Sequence, residues 1–214
     1  LTLSAHGETE PPSDYRLLLP NGWFRVRIEP AKRERSVDAL INREFEGNDN
    51  VPHLKRRLRD DLLAQAAAAY REGGIELYLS LQRAGGLTIP ASLLITLLPF
   101  PGDKGPPSVH DLAADIPVDQ NTSVSVVELD AGPAVRVQTL TGQPTRPAPQ
   151  GMPGDADQAL PSVTLAYQLH VPGTSSCLML TFSTPLVQIA DAMVALFDAI
   201  ATSFTWMDRA ESNA

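Results

Sequence analysis

Ile75-Glu-Leu-Tyr-Leu-Ser-Leu-Gln-Arg-Ala-Gly-Gly-Leu-Thr-Ile-Pro-Ala-Ser-Leu-Leu-Ile-Thr-Leu-Leu98 decides the fold class. Its first half alternates, with Ile75, Leu77, Leu79 and Leu81 on one face, which is the period of a strand. Ala84-Gly-Gly86 has the length and the glycines of a hairpin connection. Leu87–Leu98 then returns as a more continuously apolar, more buried strand. The pattern recurs downstream. Ser123–Leu129 and Ala134–Leu140 flank Asp130-Ala-Gly-Pro133, and Ser162–Val171 and Ser176–Ser183 flank Pro172-Gly-Thr-Ser175. Three successive hairpins predict mainly antiparallel pairing.

The period changes on either side of these hairpins. Trp23–Ile28 alternates apolar and basic residues after the turn Leu19-Pro-Asn-Gly22, as a strand with one wet face does. Glu34–Glu46 carries Val37, Leu40, Ile41 and Phe45 at helical spacing, stopped by Gly47-Asn-Asp-Asn50. A second helix starts near Asn50-Val-Pro52, with a stripe of Leu54, Leu58, Leu62, Ala66, Ala69 and Tyr70, and Gly73-Gly74 ends it. Ser108 followed by Asp111 resembles a capping box for a short helix over Ser108–Asp115. A closing helix follows Thr184, the expected cap, and Pro185, with Ile189, Met193, Leu196, Phe197 and Ile200 on one face. The elements predict an α+β single-domain α/β/α sandwich, a mainly antiparallel sheet covered by helices, with a long C-terminal helix. The domain is expected over residues 15–207, between flexible tails at 1–14 and 208–214. The stretch 142–161, with five Pro and three Gly in 20 residues, is expected to be a mobile loop.

Composition narrows function by exclusion. The 214 residues carry 17 Lys+Arg against 25 Asp+Glu, a net charge of −8, which disfavours nucleic acid. The single Cys177, in an apolar run, excludes an intrachain disulfide and reads as a small buried hydrophobe. No apolar run reaches the length of a membrane span. No basic segment is followed by an apolar one at the start, so no signal peptide is visible and the location is expected to be cytoplasmic, with an exported form whose signal has been removed as the alternative. His6, His53, His110 and His170 are scattered without metal-ligand spacing, and no nucleophile elbow or phosphate-cradling glycine pattern occurs. No cofactor is expected. Fourteen of the 17 bases are Arg, a bias that hints at a GC-rich, actinobacterial source.

The charge is unevenly placed. Trp23–Glu72 holds 11 bases and nine acids, net +2, whereas the rest of the chain holds six and 16, net −10. Lys32-Arg-Glu-Arg35 and Lys55-Arg-Arg-Leu-Arg59 are the dense runs. Arg56 and Arg59 lie three apart, off the apolar stripe, and with Lys55 they are the candidate residues for binding an acidic protein partner. A solvated helix face balanced by Asp60 and Asp61 is the plainer reading of the same residues.

Leu19-Pro-Asn-Gly-Trp-Phe24, together with Leu180-Thr-Phe-Ser-Thr-Pro185 and Leu196-Phe-Asp-Ala-Ile-Ala-Thr-Ser-Phe-Thr-Trp206, resembles the opening and closing motifs of the PsbP/Mog-like α/β/α sandwich family. The resemblance spans roughly Asp14–Met207. It implies a protein-binding accessory role and carries no catalytic residues, since that family has no shared catalytic motif. The expected function is a non-enzymatic interaction or accessory domain, for instance of an actinobacterial complex or secretion system. A hydrolase with a site assembled from distant residues, or a carrier of a small apolar ligand, are the alternatives.

Overall fold

The computed structural model describes residues 11–47, 51–85, 87–100, 107–141 and 161–208. Its centre is a seven-stranded, wholly antiparallel sheet. With strands numbered along the chain, β1 is Asp14–Arg16, β2 Trp23–Val26, β3 Gly74–Ala84, β4 Leu87–Pro99, β5 Thr122–Leu129, β6 Gly132–Thr141, β7 Ser162–His170, β8 Ser176–Thr184 and β9 Thr205–Met207. The large sheet runs β2-β3-β4-β8-β7-β6-β5, and the three expected hairpins are its adjacent pairs. The helices are α1 (Pro30–Glu44), α2 (Pro52–Arg71), α3 (Val109–Asp115) and α4 (Ala190–Thr202). The α+β sandwich expected from the sequence is the observed architecture.

Both faces of the sheet are apolar at its middle, so each needs a cover. On one face Leu93 and Ile95 of β4, Leu165, Tyr167 and Leu169 of β7, and Leu180 and Phe182 of β8 pack against Met193, Phe197 and Ile200 of α4. Phe182 and Phe197 stack at 5.0 Å between ring centroids. Tyr167 donates its hydroxyl to Asp198 of α4, which also receives Arg136 Nε at 2.8 Å and Nη2 at 3.1 Å. The buried phenol and the guanidinium thus share one carboxylate, and that pins α4 in register across β6 and β7. On the other face Val26, Leu77 and the half-buried Leu79 and Leu94 meet Val37, Leu40 and Ile41 of α1 and Leu62, Ala66 and Ala69 of α2. Leu93 and Leu94 point to opposite layers, as neighbouring strand residues must.

Several local expectations change. Helix α1 begins at Pro30, earlier than Glu34, because Pro at the first helical position costs no backbone bond. Ile75 is 42% exposed, since the ladder shifts register between Gly74 and Glu76 and removes Ile75 from the alternation. Leu54 and Tyr70, at the two ends of the α2 stripe, are also exposed. Thr184 caps no helix: a 3₁₀ turn at Val187–Ile189 precedes α4, and Thr184 Oγ1 donates to Pro90 O at 2.8 Å instead. Pro90 lies in β4 beyond the stretch paired with β8, where its missing N–H removes no ladder bond on that side. The Gly73-Gly74 stop is a steric requirement. Gly73 has φ +85°, and a Cβ on Gly74 would lie 2.6 Å from Ala69 O. The capping box at Ser108 and Asp111 forms as expected.

A second, two-stranded sheet was not expected. Strand β1 pairs with β9, so Asp14 belongs to the fold and not to a tail, and Trp206 lies in β9, beyond the end of α4. Tyr15 stacks on Phe204 at 5.2 Å, and Trp206 Nε1 donates to Ala131 O at 3.1 Å. Residues 142–160 of the expected loop, and 1–10 and 209–214 of the expected tails, lie outside the described residues.

Phe197→Ala should cost about 3–5 kcal/mol, the usual range for emptying a buried aromatic site. Urea unfolding should show this as a lower midpoint at an unchanged slope. A loss below about 1 kcal/mol would mean that α4 does not close this core.

Candidate functional site

The basic segment folds into the helical layer α1–α2 and the edge strand β2. The two helices run antiparallel, as three contacts between them establish. Lys55 Nζ lies 5.6 Å from the centroid of the Phe45 ring, at the far end of α1. Arg59 Nε meets Asp38 Oδ1 at 2.6 Å, with Nη2 and Oδ2 at 3.5 Å, near the middle. Arg33 Cζ lies 5.9 Å from the centroid of the Tyr70 ring, which explains the position of that exposed tyrosine at the end of α2. Arg33 also donates twice to Ile28 O, at 3.0 and 2.8 Å, so it closes the turn into α1.

The three residues picked from the sequence therefore sit together on α2 in different states. Arg56 is exposed, with only a 3.4 Å contact from Nε to Pro52 O. Lys55 and Arg59 are held at their tips by Phe45 and Asp38. The Asp38 carboxylate holds the Arg59 guanidinium still further above its ordinary range, so it is always charged.

A second basic feature lies at the opposite end of the layer. Phe24, Arg25, Arg27, Lys32, Arg35 and Ser36 line a cavity of about 320 Å³ between the end of β2 and the start of α1, and no carboxylate lines it. The Ser36 hydroxyl accepts from Arg27 N at 3.0 Å and donates to Arg25 O at 3.4 Å. It thereby satisfies the outer backbone groups of an edge strand and fixes the strand against the helix. Arg25 forms an ion pair with Glu76, and Lys32 approaches Glu29 at 3.4 Å. Among the described residues the Arg27 and Arg35 guanidinium groups have neither ion pair nor hydrogen bond. Glu29, beside the cavity, is held below the usual carboxylate range by a hydrogen bond with its own backbone, helped by Lys32 and Arg27. In the sequence Lys32–Arg35 is a dense run, and Arg25 and Arg27 lie on the wet face of a strand. Ser36 joins the two only in space, through its bonds to the backbone of Arg25 and Arg27.

At α2 the helix dipole runs against this charge, whereas α1 has Glu29 as its N-cap residue. Neither α1 nor α2 has an acid in its first turn. Lys32 occupies that turn in α1 and His53 in α2, with Lys55 and Arg56 directly behind. Acids are the stabilising choice there, by about 0.3–1 kcal/mol each.

Other chemistry is sparse. A groove of about 310 Å³ opens between α2 and the sheet, with Leu58, Leu62, Leu79 and Pro90 beside Asp61 and Ser183. Among the described residues no three His, Cys, Asp or Glu side chains gather as metal ligands, and no helix is long and apolar enough to cross a membrane. Cys177 Sγ lies 3.3 Å from His170 Nδ1 across β7 and β8, yet burial pushes the thiol up to about 11. A nucleophile at neutral pH needs the opposite shift.

No protein-family model matches this chain, and no match is found among curated proteins. Among solved structures the chain is similar to the Ran-binding protein Mog1p of Saccharomyces cerevisiae, at 15% identity over 63% of this chain and 80% of that one, with a TM-score of 0.40. A likeness of this size transfers no residue role and no partner.

The thiol gives a pH test with a defined sign. In the unfolded chain Cys177 loses its proton near 9.0, and in the fold near 11. The protonated thiol's share of stability is therefore complete below about pH 9 and is lost as pH rises through about 11. Burial first, and then hydrogen bonds to Glu76 or Asp198, also raises the Tyr15, Tyr78 and Tyr167 phenols, so they act in the same alkaline direction. At pH 8 an aromatic disulfide reagent should label native Cys177 far more slowly than the urea-unfolded chain. Equal rates would show that the thiol is neither buried nor shifted.

Proposed function

We propose that this chain is a non-enzymatic interaction module that docks an acidic protein partner on its α1–α2 layer. The observation that carries this reading is the exposed basic run Arg56-Arg57, with Lys55 and Arg59 beside it, behind a first turn of α2 that holds no acid. Basic residues so near the start of α2 oppose its macrodipole and are unfavourable for the isolated fold, as function-bearing residues often are. A partner's carboxylates would reverse the sign of the effect, meeting side-chain charge and helix N-termini together.

Arg56 is the direct contact in this reading. Lys55 and Arg59 meet the same partner with tips already ordered by Phe45 and Asp38, so less conformational freedom is lost on binding. The acidic remainder of the chain, at −10, keeps the partner from settling elsewhere. An accessory role in an actinobacterial complex, in a cytoplasmic setting, is the context proposed from composition and family resemblance. A second reading, a carrier of small apolar molecules, is favoured by the groove between α2 and the sheet.

Because Arg59 holds Asp38, reversing it would disturb the layer itself. Arg56→Glu with Arg57→Glu avoids this, since both side chains are exposed. The pair should slow association with a partner isolated from the native host by roughly tenfold or more at low salt, the scale of electrostatic steering. Thermal stability should stay within about 0.5 kcal/mol of the parent. An unchanged association rate would remove this face from the account.

A further inference from the structure

We infer that the cavity between β2 and α1 is a binding site for a phosphomonoester, with Arg27 and Arg35 as its two anchoring forks. Both side chains line the same cavity, one from the residue that follows β2 and one from the second turn of α1. Neither guanidinium has an ion pair or a hydrogen bond among the described residues, whereas the other two cations of the lining, Arg25 and Lys32, have Glu76 and Glu29. Two guanidinium groups without ion pair or hydrogen bond therefore face one cavity whose lining holds no carboxylate, with Glu29 beside it.

The chemistry of the donors selects the ligand. A single guanidinium fork satisfies a planar carboxylate. Two forks arriving from different elements suit a group whose acceptor oxygens point in several directions, as the three of a phosphomonoester do, and its charge of about −1.5 to −2 balances the two arginines. The start of α1 adds its partial positive charge from the same side. The scaffold is prepared for the purpose, because Ser36 fixes the backbone of Arg25 and Arg27 against the helix that bears Arg35. A nucleic-acid strand fits poorly: Phe24 is the only aromatic residue of the lining, and it packs into the α1–α2 core instead of offering a free face to a base. A membrane fits no better, since none of the large exposed apolar residues among the described ones lines the cavity.

This inference rests on reading the layer as one that faces anions, but it uses residues at the opposite end from Arg56. The 15 residues of α1, at about 1.5 Å each, put roughly 20 Å between the two ends. The two claims can therefore fail separately.

Inorganic phosphate titrated into the isotope-labelled chain, with acetate at matched ionic strength as control, tests the site by nuclear magnetic resonance. The expected result is a saturable shift of the Arg27 and Arg35 side-chain Nε–H signals with phosphate and a weaker, linear response to acetate. Arg27→Gln with Arg35→Gln should lower phosphate affinity by roughly tenfold or more, as loss of two charge-assisted contacts implies. Arg56→Glu with Arg57→Glu should leave it unchanged. Two further arms identify the source: a phosphoserine pentapeptide binding more tightly than glycerol 3-phosphate assigns the site to a phosphorylated protein, and the reverse order assigns it to a small metabolite. Equal responses to phosphate and acetate, or undiminished phosphate binding by the double Gln variant with unchanged thermal stability, would overturn the inference.

Discussion

A sheet whose two faces are both apolar at its centre cannot be left with one layer. Leu93 and Ile95 of β4 need α4, and Leu94 beside them needs the α1–α2 layer, so a single strand enforces both halves of the sandwich. The α4 side is the more completely sealed. It contains stacked Phe182 and Phe197, buried Phe204, and the Tyr167–Asp198–Arg136 link between sheet and helix. At about 1.5–3 kcal/mol for each fully buried large side chain, this layer carries the greater share of the hydrophobic stabilisation.

That imbalance frees the other layer. Helices α1 and α2 need only a narrow apolar stripe against β2 and β3, and their outer surfaces can hold charges that a more exposed core would not tolerate. The same layer spends some of its arginines on itself. Arg33 closes a turn, Arg59 joins the helices and Arg25 meets Glu76, where Tyr15 and Tyr78 also donate at 2.7 Å. Among the described residues Arg27, Arg35, Arg43 and Arg57 have no such partner, and they are exposed, as are Arg56 and Arg71. The sign of charge on this layer matters less than which arginines have internal partners.

The hairpins were readable in the sequence because alternation and turn glycines are local signals. So was the capping box at Ser108. The β1–β9 pair was not, since three-residue strands carry no period and Tyr15 meets Trp206 from the other end of the chain. The exposure of Ile75 was hidden for a related reason: a bulge is a property of two strands in register, and alternation is read from one. At the candidate site the density of charge on residues 32–35 and 55–59 was plain. What the sequence could not show was the cross-helix pairing of Arg59 with Asp38, or Ser36 joining β2 to α1, since both depend on tertiary geometry.

The central claim is that acidic ligands meet this chain on its α1–α2 layer, and backbone amide shifts on adding a decaglutamate peptide at low salt test it most directly. The account predicts shifts confined to the outer residues of α1 and α2 and the end of β2, fading as added salt shortens the screening length to about 3 Å near 1 M. Shifts centred on α3, on the β5 edge or in the groove between α2 and β4, or no shifts at all, would contradict it.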